Sequence, residues 1–245
     1  MTVLSIIIPN FNSGELLDVT LKSIFKCSLN FKFEVLIIDN LSTDCSLNVV
    51  KSYSYENVTI VSERDDGIYD AMNKGITLAN GNWFIFLGAG DEFLVQNVNR
   101  IQFEYLEAKV IYGDVFLLQE KRIYDGEFSL FKLMKKNICH QAIFYHKSIF
   151  KEFGNFDTKY KIASDYVFNL SLFFKIKKET KYLPVTVSNF MGLGVSDKVR
   201  DDLFQDNKVF IINKIVFKNL SLSNIFSLVK YNIYILKRFI KYRIG

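Results

Sequence analysis

No apolar run in this chain approaches the ~18–20 residues that a membrane-spanning helix needs. The amino terminus passes straight into a strand-like run, Val3 to Ile8, without a basic leader or a small-residue cleavage site. The sequence is therefore expected to be neither exported nor membrane-spanning. Cysteine is scarce, and Cys27, Cys45 and Cys139 form no close-spaced pair. That excludes a disulfide framework and a zinc knuckle and suits a reducing cytoplasm. Internal repeats and low-complexity linkers are also missing. Acidic residues vanish from one stretch: Asn207 to Gly245 holds no Asp or Glu against eight Lys or Arg. Because the whole chain sums to only +5, the first 206 residues are mildly acidic and the tail is strongly basic. What remains is 245 residues that are 49% hydrophobic and 23% charged, a globular composition and neither disordered, collagen-like nor coiled-coil.

Short β-branched and aromatic runs alternate with helical patterns, the mark of a mostly parallel sheet flanked by helices. Val3 to Ile8, Phe33 to Ile38, Val58 to Ser62 and Trp83 to Leu87 read as four strands. Between them Leu17, Leu21, Ile24 and Phe25, and later Ile68, Met72, Ile76 and Ala79, recur at helical spacing. Ser13 is expected to cap the first helix, and Ser42 or Thr43 the second. Val110 to Leu118 reads as a longer strand, Ile143 to Phe150 is ambiguous, and Asp165 to Lys175 is a helix capped by Ser164. Pro184 predicts an edge strand over Tyr182 to Val187, because proline cannot donate to a central ladder.

In open α/β sheets, ligands bind outside the carboxyl ends of the strands. Those ends carry Pro9, Asn10 and Asn12 after the first strand, Asp39 after the second, Glu63 to Gly67 after the third, and Gly88 to Glu92 after the fourth. A lone strand ending in Asp is ordinary turn chemistry; four polar loops on one rim point to a ligand. In Gly88-Ala89-Gly90-Asp91-Glu92 the small residues permit close approach, and the carboxylates suit a divalent metal holding a diphosphate.

These segments, with Ile37-Ile38-Asp39-Asn40-Leu41-Ser42, Asp66-Gly67-Ile68-Tyr69-Asp70-Ala71-Met72-Asn73-Lys74-Gly75, His140-Gln141-Ala142, Ala163-Ser164-Asp165-Tyr166 and Gly192-Leu193-Gly194-Val195-Ser196, resemble the family 2 glycosyltransferases of GT-A fold. The resemblance covers roughly residues 1 to 200 and is strongest to bacterial enzymes of O-antigen and surface polysaccharide synthesis. It implies a UDP-sugar donor, with Asp39 accepting from the uracil edge and Pro9, Asn10 and Asn12 shaping the nucleoside pocket. It also implies that Asp66 and Lys74 contact nucleotide and phosphate, and that Ala89 and Gly90 line the donor site. Asp91 matches the last acidic residue of the metal motif, for Mn²⁺ or Mg²⁺ bridging two phosphates. Gly90 stands where many relatives carry another Asp, and Asp39-Asn40-Leu41 replaces the more frequent Asp-Asp-Gly, so the second metal ligand and the ribose contacts depart from the pattern. Asp165 matches the general base of a single-displacement, inverting transfer. His140 is placed at the diphosphate, metal or acceptor, while His146 reads as surface or core filler.

The expected organisation is a GT-A domain over 1–206 and a basic amphipathic helical tail over 207–245. Apolar positions at helical spacing among lysines suit a membrane interface, or packing on the domain or on a second copy. The expected function is transfer of a hexose to a lipid-diphosphate-linked saccharide at the inner membrane surface, with UDP-galactose and a β1,3 link as the specific choice and no nucleic acid partner. The rivals are a nucleotidylyltransferase, whose glycine-rich phosphate loop is missing after the first strand, and a non-catalytic saccharide-binding protein.

Overall fold

Strand β1 (Leu4–Asn10) is buried on both faces because the helices that follow it cover both. Its neighbours β2 (Phe33–Asp39) and β4 (Trp83–Phe86) run parallel to it on either side, and β3 (Val58–Ser62) extends the sheet beyond β2. The computed structural model describes residues 2–53, 55–103, 107–192 and 200–244. Of the Gly192–Ser196 segment, only Gly192 is among them.

Five further strands complete one sheet: β5 (Glu92–Phe93), β6 (Val110–Leu117), β7 (Arg122–Tyr124), β8 (Ile143–His146) and β9 (Thr180–Phe190). Their order is β3-β2-β1-β4-β8-β6-β9-β5, with β7 paired to β6. The expectation of a mostly parallel sheet is corrected here. Strand β8 runs antiparallel to both β4 and β6, and β5/β9 and β6/β7 are antiparallel as well, so parallel and antiparallel pairings are balanced and the sheet is mixed. Apolar runs such as those of β6 and β8 read the same in either direction; the connections decide which way they run.

Over Tyr182 to Val187 strand β9 pairs with β6 alone, as an edge; β5 joins β9 only beyond, at Ser188 and Asn189, and the proline falls where the β6 register slips between Tyr112↔Tyr182 and Asp114↔Thr186. The irregularity relieves it of donating to a ladder. Gly113 makes the close approach possible, since a Cβ there would lie 2.3 Å from the Val185 carbonyl oxygen.

Along β1 the side chains divide by the period of two: Ile6 and Ile8 pack with Leu17, Leu21 and Ile24 of α1 (Gly14–Phe25), while Ile7 packs with Met72 of α3 (Ile68–Leu78). Helix α3 approaches β1 so closely that a Cβ on Gly75 would sit 2.4 Å from Ile7 Cγ2. That contact holds the start of α3 over the carboxyl ends of the strands.

Helix starts differ from the expected caps. Ser13 Oγ bonds the Phe11 carbonyl, and the Gly14 amide is met by Asp44 Oδ2 at 2.8 Å. Helix α2 (Ser46–Ser52) begins after Ser42 and Thr43, with Asp44 Oδ1 accepting from the Ser46 amide. Asp44 thus serves two helices, and its carboxyl is held below the usual range by those bonds against the opposing effect of burial.

Helices α4 (Val95–Val98), α5 (Leu130–Lys135) and α6 (Ser148–Phe153) are short, and α6 follows β8 directly, which explains the mixed pattern over Ile143 to Phe150. Helix α7 (Ser164–Ile176) contains Ser164 rather than being capped by it; that hydroxyl is buried without a partner among the described residues. Two long helices follow, α8 (Asp202–Lys218) and α9 (Leu222–Ile244). Phe204, Ile212 and Val216 of α8 and Leu228 and Tyr231 of α9 belong to the same buried cluster as α3 and α7. Among the described residues, no helix is long and apolar enough to cross a membrane.

Candidate active site

Two groups of residues form at the carboxyl ends of the strands. The first joins the loops after β1 and β2. Asp39 is fully buried and accepts from Asn10 Nδ2 at 2.8 Å, the Ser42 amide at 3.0 Å, Ser62 Oγ at 2.7 Å and the Ser42 hydroxyl. Burial alone would raise its pKa, but these donors outweigh it and hold the carboxyl low. Asn12 has a left-handed backbone (φ 46°), donates its amide to Ser42 Oγ and accepts from the Thr43 amide. Half-buried Pro9 precedes them. In this arrangement the Asp39 carboxylate ties the loops after β1 and β2 to the end of β3.

Asp66 and Lys74 lie beside this group. Asp66 is exposed; the neighbouring Asp65 is buried and sits 2.6 Å from Lys74 Nζ. The same ammonium lies 2.9 Å from Glu63 and donates to the Arg64 carbonyl. These acids raise the lysine pKa although burial opposes them. Lys74 is thus held in an acidic pocket of its own loop.

The second group lines a cavity of about 450 Å³ between the β4 loop, the start of α3, the Asn137–Gln141 segment and the start of α7. Gly88, Ala89, Asp91, His140 and Asp165 all lie on its wall. Gly90 is behind it, with φ 100° and its amide bonded to Leu16 O and Thr20 Oγ1. This turn carries Asp91 back toward β4, where Oδ2 accepts from the Gly88 amide at 2.8 Å. Burial pushes the Asp91 carboxyl up to about 6, only partly offset by Gly88 and the charge of His140. Glu92 turns away and accepts from Asn189 at 2.7 Å.

Asp165 is buried at the first turn of α7, yet its oxygens are aimed by three partners. Tyr69 Oη donates to Oδ1 at 2.7 Å, Asn137 Nδ2 to Oδ2 at 2.8 Å, and His140 Nδ1 lies 3.4 Å from Oδ2. Asn137 is fixed in turn by Asn169, which accepts from Tyr145. Burial works against protonation of His140, but the bond to Asp165 and the charges of Asp165 and Asp91 outweigh it, so its pKa lies above the ordinary histidine value.

The profile of glycosyl transferase family 2 matches residues 5–177, a span that includes both groups. The chain belongs to this family. Among relatives, the PGL/p-HBAD biosynthesis glycosyltransferase of Mycobacterium tuberculosis (strain ATCC 25177 / H37Ra) is 34% identical over 209 residues, 82% of this chain and 81% of that one. Among solved structures, residues 1–349 of TarS from S. aureus, in complex with UDP-GlcNAc, match 94% of this chain and 71% of theirs with a TM-score of 0.78 at 16% identity. The mannosyltransferase PcManGT from Pyrobaculum calidifontis, in complex with GDP-Man and Mn²⁺, gives a TM-score of 0.65 at 14% identity over 94% of this chain and 69% of its own. These structural likenesses establish the GT-A-like fold, with its curled mixed sheet.

Several residues of this family 2 glycosyltransferase site carried no signal that sequence reasoning used. Tyr69 and Asn137 reach Asp165 from 96 and 28 residues away. Asp201 accepts from the Ile162 and Ala163 amides and, with its other oxygen, from Phe204 N, tying the start of α8 to the approach to Asp165. Asp65, next to the expected Asp66, is buried against Lys74 while Asp66 is exposed.

Among the described residues, no three His, Cys, Asp or Glu side chains gather closely enough to hold a metal ion by themselves. Besides Asp165 and Asp201, which are engaged by the bonds given above, the cavity wall offers the buried carboxylate of Asp91, bonded to the Gly88 amide through one oxygen. That fits a hard cation that takes its remaining ligands from phosphate oxygens and water, and does not fit an all-protein cage.

Proposed function

We propose that this family 2 glycosyltransferase moves a hexose, with inversion, from a UDP-sugar to a lipid-diphosphate-linked saccharide in surface polysaccharide synthesis of the O-antigen type. The observation that carries this reading is that Asp91 and Asp165 line one cavity, with His140 electrostatically coupled to both. UDP-GlcNAc in the TarS complex supports the donor class.

Asp165 is the base. It takes the proton of the acceptor hydroxyl as that oxygen bonds to the anomeric carbon, and the bond from that carbon to the UDP oxygen breaks with its electron pair on the diphosphate. Tyr69 and Asn137 hold the carboxylate at the required angle, and His140 sits where it can steady the charge that Asp165 and Asp91 carry. Mn²⁺ or Mg²⁺, held by Asp91 and the donor's phosphate oxygens, would supply positive charge for the leaving diphosphate. The nucleoside lies against the loop of Pro9, Asn10 and Asn12, with Asp39 at the uracil edge; Asp66 and Lys74 border it, and Ala89 on the cavity wall gives the diphosphate room, with Gly90 forming the turn behind it. In this reading the chain works peripherally at an inner membrane surface through its basic tail.

The test is a panel of UDP-sugars, beginning with UDP-galactose, against synthetic lipid-diphosphate GlcNAc and GalNAc acceptors, with and without EDTA. A β-linked product, β1,3 for UDP-galactose, formed only without EDTA is expected. Retention of the donor's anomeric configuration, or transfer undiminished by EDTA, would refute the corresponding part.

A further inference from the structure

Helix α9 buries one face and leaves another bare. Asn224, Leu228 and Tyr231 turn inward, and Asn224 Nδ2 donates to the Phe174 carbonyl of α7. On the other side Leu222, Phe226, Val229, Ile233, Leu236 and Ile240 are exposed, Leu222 at 88% and Phe226 at 60%. Their spacing alternates four and three, which at ~100° per residue keeps all six within about 40° of one direction. Helix α8 adds Phe210 and Phe217, both exposed.

Lysines flank the stripe. Lys230 and Lys237 stand about 60–80° to one side of it, and Lys230 Nζ lies 4.3 Å from the Phe226 ring centre. A second copy of the helix could cover the apolar stripe, but from residue 207 onward the chain has no acidic side chain to meet these lysines. Self-association would therefore gather like charge along the seam. An anionic lipid surface accepts the apolar side chains and supplies the opposite charge together.

The same helices lead to the catalytic cavity. Phe204 and Gln205, in the first turn of α8, line it beside Tyr166 and Asp165. One turn on, Lys208 Nζ lies 4.7 Å from the Tyr166 ring centre and donates to the Lys135 carbonyl.

We propose that the stripe of α9, with Phe210 and Phe217 of α8, is a membrane-binding face selective for anionic lipid, and that it holds the cavity beside the headgroups from which a lipid-linked acceptor projects. The proposal rests on the glycosyltransferase reading only for the identity of the acceptor. The occupant of the face is a bilayer surface, with the helices lying in its plane.

The test uses the full chain and sedimentation with vesicles of phosphatidylcholine alone or with 30% phosphatidylglycerol, at low and high salt. Binding to the anionic vesicles that high salt weakens is expected. Phe226→Ser with Ile233→Ser, and separately Lys230→Glu with Lys237→Glu, should each weaken it about tenfold or more. Lys178→Glu with Lys181→Glu, the same charge change on exposed residues elsewhere, should leave it intact. Equal binding to both vesicles, binding to neither, or a dimer in solution that the α9 changes dissolve would overturn the proposal. Transfer to a short-chain acceptor in detergent should survive the α9 changes. If wild type binds anionic vesicles but transfers no sugar, the catalytic reading fails and this one stands.

Discussion

The imidazole Nδ1 of His140 lies 3.4 Å from Oδ2 of Asp165, and the charge of Asp91 bears on the same ring. Two buried carboxylates, one in the turn after β4 and one in the first turn of α7, are thereby joined through one side chain that can carry positive charge.

The orientation of Asp165 is the first test. Asp165→Asn keeps the size and most bonds but removes the proton acceptor, so kcat should fall by ~10²–10⁴ while UDP binding is retained. Asn137→Ala and Tyr69→Phe should lower kcat about tenfold, with KM for the donor little changed, if aiming the carboxylate is what they do. Calorimetric UDP titration alongside steady-state kinetics separates these outcomes.

Asp91 gives a pH signature. Its carboxyl is raised in the folded chain to about 6 from an ordinary value of 3.8, so its contribution to stability is complete below about 3.8 and is lost as pH rises through 6. The metal-free protein should lose about 3 kcal/mol from this group across that window. Denaturant unfolding of wild type and Asp91→Asn at pH 4 and pH 7 checks it: the loss of stability between the two should be about 2–3 kcal/mol smaller in the variant. At pH 7 with UDP present, Mn²⁺ should stabilise wild type beyond UDP alone and leave Asp91→Asn unmoved.

Asp39 runs the opposite way. Its pKa is lowered in the folded chain, so its stabilisation is present above the ordinary carboxyl range and is lost as pH falls through the folded value. Asp39→Asn should cost about 1.5–3 kcal/mol at pH 7 and little in strong acid. Ser62→Ala, which removes a single donor, should cost about 1 kcal/mol. Urea unfolding at pH 7 and pH 3 distinguishes the two.

Gly113 tests the bulge that seats Pro184. A Cβ at 2.3 Å from the Val185 carbonyl oxygen and 2.9 Å from Val187 Cγ2 has no room without moving β9. Gly113→Ala should destabilise by about 1–3 kcal/mol, read as a lowered midpoint in thermal unfolding; an unchanged midpoint would mean that β6 and β9 separate freely there.

The succession of strands and helices through β4, the polar loops at their carboxyl ends and the helix that carries Asp165 were all legible in the residues, because apolar periodicity and turn chemistry act over a few positions. Strand direction after β4 was not, since an apolar run has no polarity and its sense depends on the route of the connection. Nor was the burial of Asp65 against Lys74, the capping of two helices by Asp44, or the set of donors around Asp39. Tyr69 and Asn137 become partners of Asp165 only when β1, α3, α5 and α7 pack together, and a hydrogen bond across 96 residues leaves no trace in local pattern. The sequence alone determined which chemistry was at hand and the charge of the tail. The tertiary structure decided which carboxylates face one cavity and which face of α9 stays bare, because burial and the aim of a side chain are properties of the packed chain.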